Sequence, residues 1–395
     1  MPDLELRQLH GEEFIDTCYE LASYSFHPSP PLTNKLEWKK WVSTRMDSIC
    51  LALFDGSRPV VCIQSTAMAQ NVRSELFMMS AFWGLASAPD IRRKGYARRL
   101  FTDLLEAGQK DGHAFSSLYP FRESFYERLG YCTFPSPQLA RLSTESLAPI
   151  LKFNPGGEIR LVRADTGLED FRGFMKRRLA ALHGMAFYDK PEAISETLHN
   201  QWLAEAWFNG SLDGIMAYEI QGTDEDQGKF QFSVSRLDYE TCEAKYQLLQ
   251  WIALHIDQAD RALILLPPGE RPETWLSDTK VKTELYHTPM GRVLDINRIN
   301  GLNVGPGSFN ALIRDPACPW NEGGWRFESV DGKLRVERDA MAIEELSIQA
   351  LSAMVFGTHD PGDFACRGWG CLSPETVATV RGMFPLASPY LDEFF

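Results

Sequence analysis

The hydrophobic period of the chain changes between residues 75 and 118, and no other feature narrows its fold as much. The run "ELFMMSAFWGLASA" is apolar enough for buried strands. From Gly95 onward, Ala97, Leu100, Phe101, Leu104, Leu105 and Gly108 follow the three- and four-residue spacing of a helix with one buried side. "AFSSLYP" then reads as a strand, "ESFYERLG" as a short helix and "YCTF" as a final strand. Where the first strand meets the helix, "SAPDIRRKGYARRLF" gathers Arg92, Arg93, Lys94, Arg98 and Arg99. The positive end of a helix dipole lies there and disfavours cations. An anion bound at that spot removes the conflict.

The local pattern says which anion. Arg92, Gly95 and Ala97 form Arg-x-x-Gly-x-Ala after a strand and before a helix. Backbone N–H groups at a helix start are unpaired donors. Glycine lets the backbone come close to a ligand, and the small Ala97 keeps the approach open. The result is a cradle for phosphate oxygens, with arginine and lysine side chains holding further charge. Read without its surroundings, the same stretch is a solvated basic helix start with a chance glycine.

The other segments divide the chain of 395 residues into three parts, within the two or three domains that its length suggests. In residues 1–145, "GEEFIDTCYELASYSF" and "LEWKKWVSTRM" read as helices separated by the proline-rich "HPSPPL". "ICLALFDGSRPVVCIQSTAMAQ" reads as two strands joined by an Asp-Gly turn. Residues 146–290 look like a faded echo: "KFQFSVSRL" as strand, "YETCEAKYQLLQWIALHIDQA" as helix, "RALILLP" as strand. Glu240 and Glu243 at that helix start suit the dipole with no ligand. Residues 291–395 carry "GGWRFESVDGKLRVER", a hairpin, and "IEELSIQALSAMVFG", a helix. The apolar, proline-stiffened ending "MFPLASPYLDEFF" is expected to dock.

Composition excludes some function classes. The net charge of −13 argues against general nucleic-acid binding and against anionic membrane surfaces. No run approaches the length of a membrane-spanning helix, and no signal peptide is legible in "MPDLELRQLHGEEF". The eight cysteines lack metal-ligand spacing, so no metal is expected and free thiols in a reducing cytoplasm are.

"WGLASAPDIRRKGYARRLFTDLLEAG" followed by "LYPFRESFYERLGYCTF" resembles the acetyl-CoA-binding core of the GNAT acetyltransferase superfamily. With its ending "FPLASPYLDEFF", the whole chain resembles the enhanced-intracellular-survival (Eis-type) branch. The resemblance implies an α+β fold: a GNAT acetyl-CoA-binding catalytic domain over 1–145, a degenerate GNAT-like domain over 146–290, and a sterol-carrier-protein-like domain over 291–395. It implies that pyrophosphate rests on Arg92, Arg93, Lys94, Gly95, Tyr96 and Ala97. Pantetheine would pair with the strand holding Leu85, Ala86 and Ser87, although Ala86, Ser87 and Ala88 stand where relatives commonly carry bulkier β-branched residues. Tyr126 would be the general acid toward the leaving thiolate and the terminal carboxylate of Phe395 the general base for the amine. By itself, a carboxyl with an unperturbed pKa of roughly 3.3–3.7 is a poor base, so positioning the amine or acting through water stay open. The family also implies a homo-hexamer.

The remaining candidates each have two readings. Tyr126 taken alone is a packed helix aromatic. Phe26, Trp38 and Trp41, around the proline loop, either line an amine pocket or fill the core, and Glu393 lines that pocket or is merely exposed. His27 and His113 qualify as bases only by residue type. Glu12, Glu13, Asp16 and Glu20, like "KRR" at 176–178, read best as solvated faces, and "NVGPGSF" at 303–309 as a turn. The expected activity is acetyl transfer from acetyl-CoA to a small cationic amine or a lysine side chain. The alternatives are an apolar-ligand carrier and a non-catalytic coenzyme A-binding regulator.

Overall fold

The computed structural model describes residues 4–45, 47–222 and 230–395. Met46 and Lys229, at the ends of two expected elements, lie outside the described residues. The chain forms two compact units: Met1–Phe134 with His183–Tyr188 and Pro289–Phe395, and Pro135–Leu182 with Asp189–Thr288.

In the first unit, β1 (Glu5–Leu9), β2 (Ile49–Asp55), β3 (Arg58–Val72) and β4 (Glu75–Ser87) pair antiparallel in sequence order. β5 (Phe115–Leu118) then runs parallel to β4, and β6 (Cys132–Thr133) closes the far edge. The helices are α1 (Glu12–Phe26), α2 (Lys35–Ser43), α3 (Tyr96–Lys110) and α4 (Glu123–Glu127). The parallel pair needs a crossover, and α3 supplies it. Its apolar stripe, Leu100, Phe101, Leu104 and Leu105, is buried with Val61, Ile63, Phe82 and Leu118 of the sheet.

Two distant stretches complete this sheet. Met290–Val293 lies between β5 and β6, and Ala186–Phe187 pairs with β3. The segment expected to open a third domain at 291 therefore places its first strand in the first sheet. The physical reason is that β5 and β6 do not pair with each other, and the fully buried "MGRV" run fills the space between them.

The remainder of the C-terminal part is a four-stranded sheet in the order Lys333–Arg338, Gly323–Val330, Ser308–Arg314, Glu345–Ser347. Its hairpin turns at Asp331 and Gly332, both with positive φ, as the Asp-Gly pair predicts. The following helix begins later than its periodicity indicates, at Ile348, because Glu345–Ser347 pairs in the sheet and Ser347 caps the helix.

His183 ties this part to the β3–β4 hairpin. Arg73 N–H donates to His183 Nδ1 at 3.0 Å, and His183 Nε2 lies 2.8 Å from Phe356 O. That pairing requires the neutral ring with its proton on Nε2. Burial, and then the Arg73 cation, push the His183 pKa down to about 4 despite the bond to Phe356 O. The stabilisation is present above the unfolded value of roughly 6.5 and is lost as pH falls toward 4. Between pH 7 and 4 the protein should lose about 3 kcal/mol more stability than its His183→Gln variant. Urea unfolding at stepped pH checks this, and parallel losses in both proteins would contradict it.

The second unit is a seven-stranded sheet in the order Val281–Leu285, Gln138–Ser143, Ala259–Leu266, Phe230–Tyr239, Ser211–Gly222, Trp202–Phe208, Glu158–Arg163. Phe230–Tyr239 and Ala259–Leu266 are parallel and joined by the helix Cys242–Ala253. This repeats the β4–α3–β5 arrangement, so the faded echo is a repeat of fold. The "KRR" stretch differs from a solvated face: Lys176 pairs with Asp189, Arg177 with Glu240 and Arg178 with Asp238, the last pair largely buried.

Candidate active site

The turn before α3 is open. Pro89–Ile91 forms one 3₁₀ turn, Arg93 takes φ +64° and Gly95 takes φ +89°. Gly95 is the N-cap of α3, gives it no side-chain cap, and no acid stands in the first helical turn. The first amides of α3 therefore lack a protein side chain to accept from them at the N-cap. A Cβ at Gly95 would meet nothing within 4 Å, so a ligand can approach. Arg92 Nε donates to Ser87 O at 3.0 Å and Lys94 Nζ to Asp90 O at 2.9 Å. Asp90 in turn accepts both arms of Arg58, at 3.0 and 2.9 Å. These bonds brace the turn, while Arg92, Arg93, Lys94, Arg98 and Arg99 all stay exposed. Tyr96 is buried under the helix and Ala97 half-buried.

The equivalent turn of the second unit is sealed. Thr241 Oγ1 accepts from Ala244 N at 3.2 Å, the N-cap bond that Gly95 lacks. Glu270 accepts from Lys245 at 2.6 Å, Trp275 Nε1 at 2.7 Å and Tyr239 OH at 3.0 Å. Burial alone would raise the Glu270 pKa, but these donors hold it below the ordinary carboxylate value.

Beside the open turn, β4 has an unpaired edge. The β4–β5 ladder ends at Phe82 and Leu118. A bulge follows, with Gly84 at φ +69°, between the pairs Gln64–Trp83 and Cys62–Ala86. Among the described residues, Trp83, Ala86 and Ser87 pair with β3, and no strand pairs with Trp83–Ser87 on the other side. Leu85 and Ser87 are half-buried there and Ala86 is buried. Unpaired strand edges accept extended partners through backbone hydrogen bonds.

The loop after β5 receives both expected catalytic groups. Tyr119 OH donates to Leu391 O at 2.9 Å, and its ring centroid lies 4.8 Å from that of Phe394 and 5.7 Å from that of Phe395. Tyr390 N–H donates to His183 O at 2.9 Å, and Phe395 is only 8% exposed. The chain end is docked, as its composition predicts. Two residues beyond Tyr119, the Phe121 ring lies 5.6 Å from that of Tyr126. Tyr126 is 5% exposed and also packs on Phe101, Phe125 and Tyr131. Its hydroxyl makes no hydrogen bond among the described residues, whereas Tyr131 OH pairs with Ser116 Oγ at 2.5 Å. Burial pushes the Tyr126 hydroxyl well above the usual phenol range, so it keeps its proton at neutral pH.

The residues expected to line an acceptor pocket are spread out. Phe26 is exposed at the end of α1. Trp38 packs on Phe14 at 6.3 Å and Tyr19 at 5.7 Å. Trp41 meets Trp83 edge-on at 4.8 Å, and the Arg45 guanidinium lies 4.6 Å over its ring. A cation of the protein itself thus already uses one face of Trp41. Glu393 is half-buried in the docked tail, and His27 caps the end of α1. His113 is buried just before β5, 2.6 Å from Ser80 Oγ, at the opposite end of that strand from Tyr119. Glu12 and Asp16 pair with Lys39 and Lys35 of α2. Tyr119 and Trp83 had no sequence signal beyond ending or filling an apolar run.

The open phosphate-type turn and the strand with a free edge lie side by side in the N-terminal part of the first unit. Residues 5–134 match the acetyltransferase (GNAT) domain family and residues 303–392 the sterol carrier protein domain family. Solved structures share the architecture from end to end. A GCN5-related N-acetyltransferase from Anabaena variabilis is 15% identical with a TM-score of 0.87, over 99% of this chain and 100% of that one. A conserved protein of unknown function from Enterococcus faecalis, described as a probable N-acyltransferase, is 19% identical with a TM-score of 0.86, over 100% of both. Eis1 from Mycobacterium abscessus is 18% identical with a TM-score of 0.81, over 99% of this chain and 100% of that one. At these identities the likeness is one of fold. No curated protein matches the sequence. The chain thus carries a GNAT acetyltransferase domain and a sterol carrier protein domain, and it shares its fold with Eis1.

Proposed function

We propose that the protein moves an acetyl group from acetyl-CoA to a primary amine by direct attack. The observation that carries this is the pairing of the open Gly95 turn with the unpaired edge of β4. Amides of the α3 start would hold the pyrophosphate, helped by Arg92, Arg93 and Lys94. Leu85, Ala86 and Ser87 would offer backbone partners to the pantetheine arm. Acetyl-CoA supplies the activated thioester. Tyr126 donates a proton to the departing sulfur, a role its free and protonated hydroxyl fits. The Phe395 carboxylate takes the amine's proton, directly or through water. The acceptor is a small cation or a lysine side chain, in keeping with the acidic chain. The parts 1–145, 146–290 and 291–395 act as catalytic, degenerate and terminus-bearing domains of a cytoplasmic homo-hexamer. Among the described residues no helix is long and apolar enough to cross a membrane. A carrier role is disfavoured because Trp325 and the stacked Phe309 and Phe327, centroids 4.8 Å apart, occupy the interior of the C-terminal sheet.

Initial rates with acetyl-CoA against polyamines, aminoglycosides and lysine peptides test the proposal, alongside calorimetric binding of coenzyme A. Neither turnover nor binding would end it. A sharper expectation concerns Gly95→Ala, which strains the turn and places a methyl in the cradle. Coenzyme A should bind it about tenfold more weakly or worse, about 1.4 kcal/mol. Gly301→Ala, at φ +87° with equal space, carries the strain without the cradle and should keep its affinity.

A further inference from the structure

We infer that residues outside the GNAT domain hold Tyr126 in register, with Gln349, Trp369 and Arg292 as positioning residues; this rests on Tyr126 being the general acid. α4 has five residues and no side-chain cap, too few to be stable unaided. The chain folds back on it through Leu129 N–H and Tyr131 N–H, which donate to Tyr126 O at 2.8 and 3.2 Å. Thr133 Oγ1 donates to Glu123 at 3.0 Å, and the other side-chain bonds on this turn come from elsewhere. Gln349 Nε2 donates to Glu127 O at 2.6 Å. Trp369 Nε1 and Arg367 Nη2 donate to the Glu127 carboxylate at 3.2 and 3.4 Å. Arg292 donates to Leu129 O and, at 3.0 Å, to Val293 O. Residues 292, 349, 367 and 369 all lie beyond the 5–134 match, while Glu127 and Leu129 lie within it.

Arg292 shows what this arrangement costs. It is fully buried and ion-paired with the equally buried Asp315, which also accepts from Asn321 Nδ2 at 2.9 Å. Buried ion pairs seldom add net stability over well-packed apolar groups, so geometry is the better account of this one. The fit leaves no slack. Gly130 has φ +93°, and a Cβ there would lie 2.7 Å from Arg292 Nη1 and 2.8 Å from Ile348 Cγ2. A proton donor displaced by about 1 Å can cost about a hundredfold in rate.

The test is a double-mutant cycle on the full chain with the best amine acceptor. Gln349→Ala removes a half-buried amide, and Trp369→Phe removes the indole N–H while keeping a smaller aromatic ring against Phe364. Together they should lower kcat at least tenfold and leave the coenzyme A Kd within twofold. In a Tyr126→Phe background the same pair should change kcat less than twofold. An undiminished rate overturns the inference while leaving the acid assignment standing. An equal loss in both backgrounds also overturns it, since that is general loosening. If Tyr126→Phe by itself keeps full rate, the acid reading fails and this one with it. Should the double variant not fold, Gln349→Ala alone goes through the same cycle, with a threefold loss of kcat expected and no loss fatal.

Discussion

Tyr126→Phe is expected to lower kcat by about 10²–10⁴-fold, the usual range for removing a general acid. The affinity for coenzyme A should stay within twofold, because Tyr126 belongs neither to the Gly95 turn nor to β4. Stability should change little. The hydroxyl makes no hydrogen bond among the described residues, and Phe keeps the ring contacts with Phe101, Phe121, Phe125 and Tyr131. The pH profile gives a second check. Burial raises the Tyr126 pKa, so the donor form persists above the ordinary value of roughly 10. Acid catalysis is present below the folded pKa and is lost only as pH rises through it. The native rate should therefore not fall on the alkaline side before about pH 10. Full activity in the Phe variant, with unchanged acetyl-CoA saturation, would remove Tyr126 from the mechanism.

The contrast between Tyr126 and Arg292 marks what could be read from the chain. The Gly95 turn was legible because its causes are local: a change of period, a glycine where φ is positive, and cations at the wrong end of a helix. The repeat was legible for the same reason, since each strand–helix–strand unit carries its own pattern. The sealing of the second turn was half legible: Glu243 was read from its position, but the Glu270 network joins residues far apart in sequence. Arg292 left no trace, because nothing in "GRVLD" itself marks its arginine as buried. Only the entry of Met290–Val293 between β5 and β6 buries that side chain. Trp41 was read as lining an amine pocket or filling the core, and one of its faces in fact holds Arg45, from a few residues downstream. Pairing across long sequence separation leaves no periodic signal, and it is through such pairing that Tyr126, Tyr119 and the tail are placed.

Extending the chain by Gly-Gly after Phe395 should lower kcat by about a hundredfold or more, if its carboxylate is the base. Two extended residues move the charge by about 7 Å. The rest of the tail has reason to stay. Ala387 N–H donates to Gly357 O at 2.8 Å, Tyr390 N–H to His183 O at 2.9 Å, and Tyr119 OH holds Leu391 O. The extension thus separates the terminal charge from the docking of Phe394 and Phe395 on Tyr119. How the loss divides tells what the carboxylate does. A base acts only in the transition state, so its displacement lowers kcat and kcat/KM together. A group that merely holds a cationic amine binds ground and transition states alike, so its displacement raises KM and spares kcat. The low intrinsic pKa of a terminal carboxyl, roughly 3.3–3.7, makes this division informative rather than foregone. Unchanged kcat and KM in the extended chain would leave the terminus with no part in the reaction, and the docked tail would then be a structural plug on Tyr119.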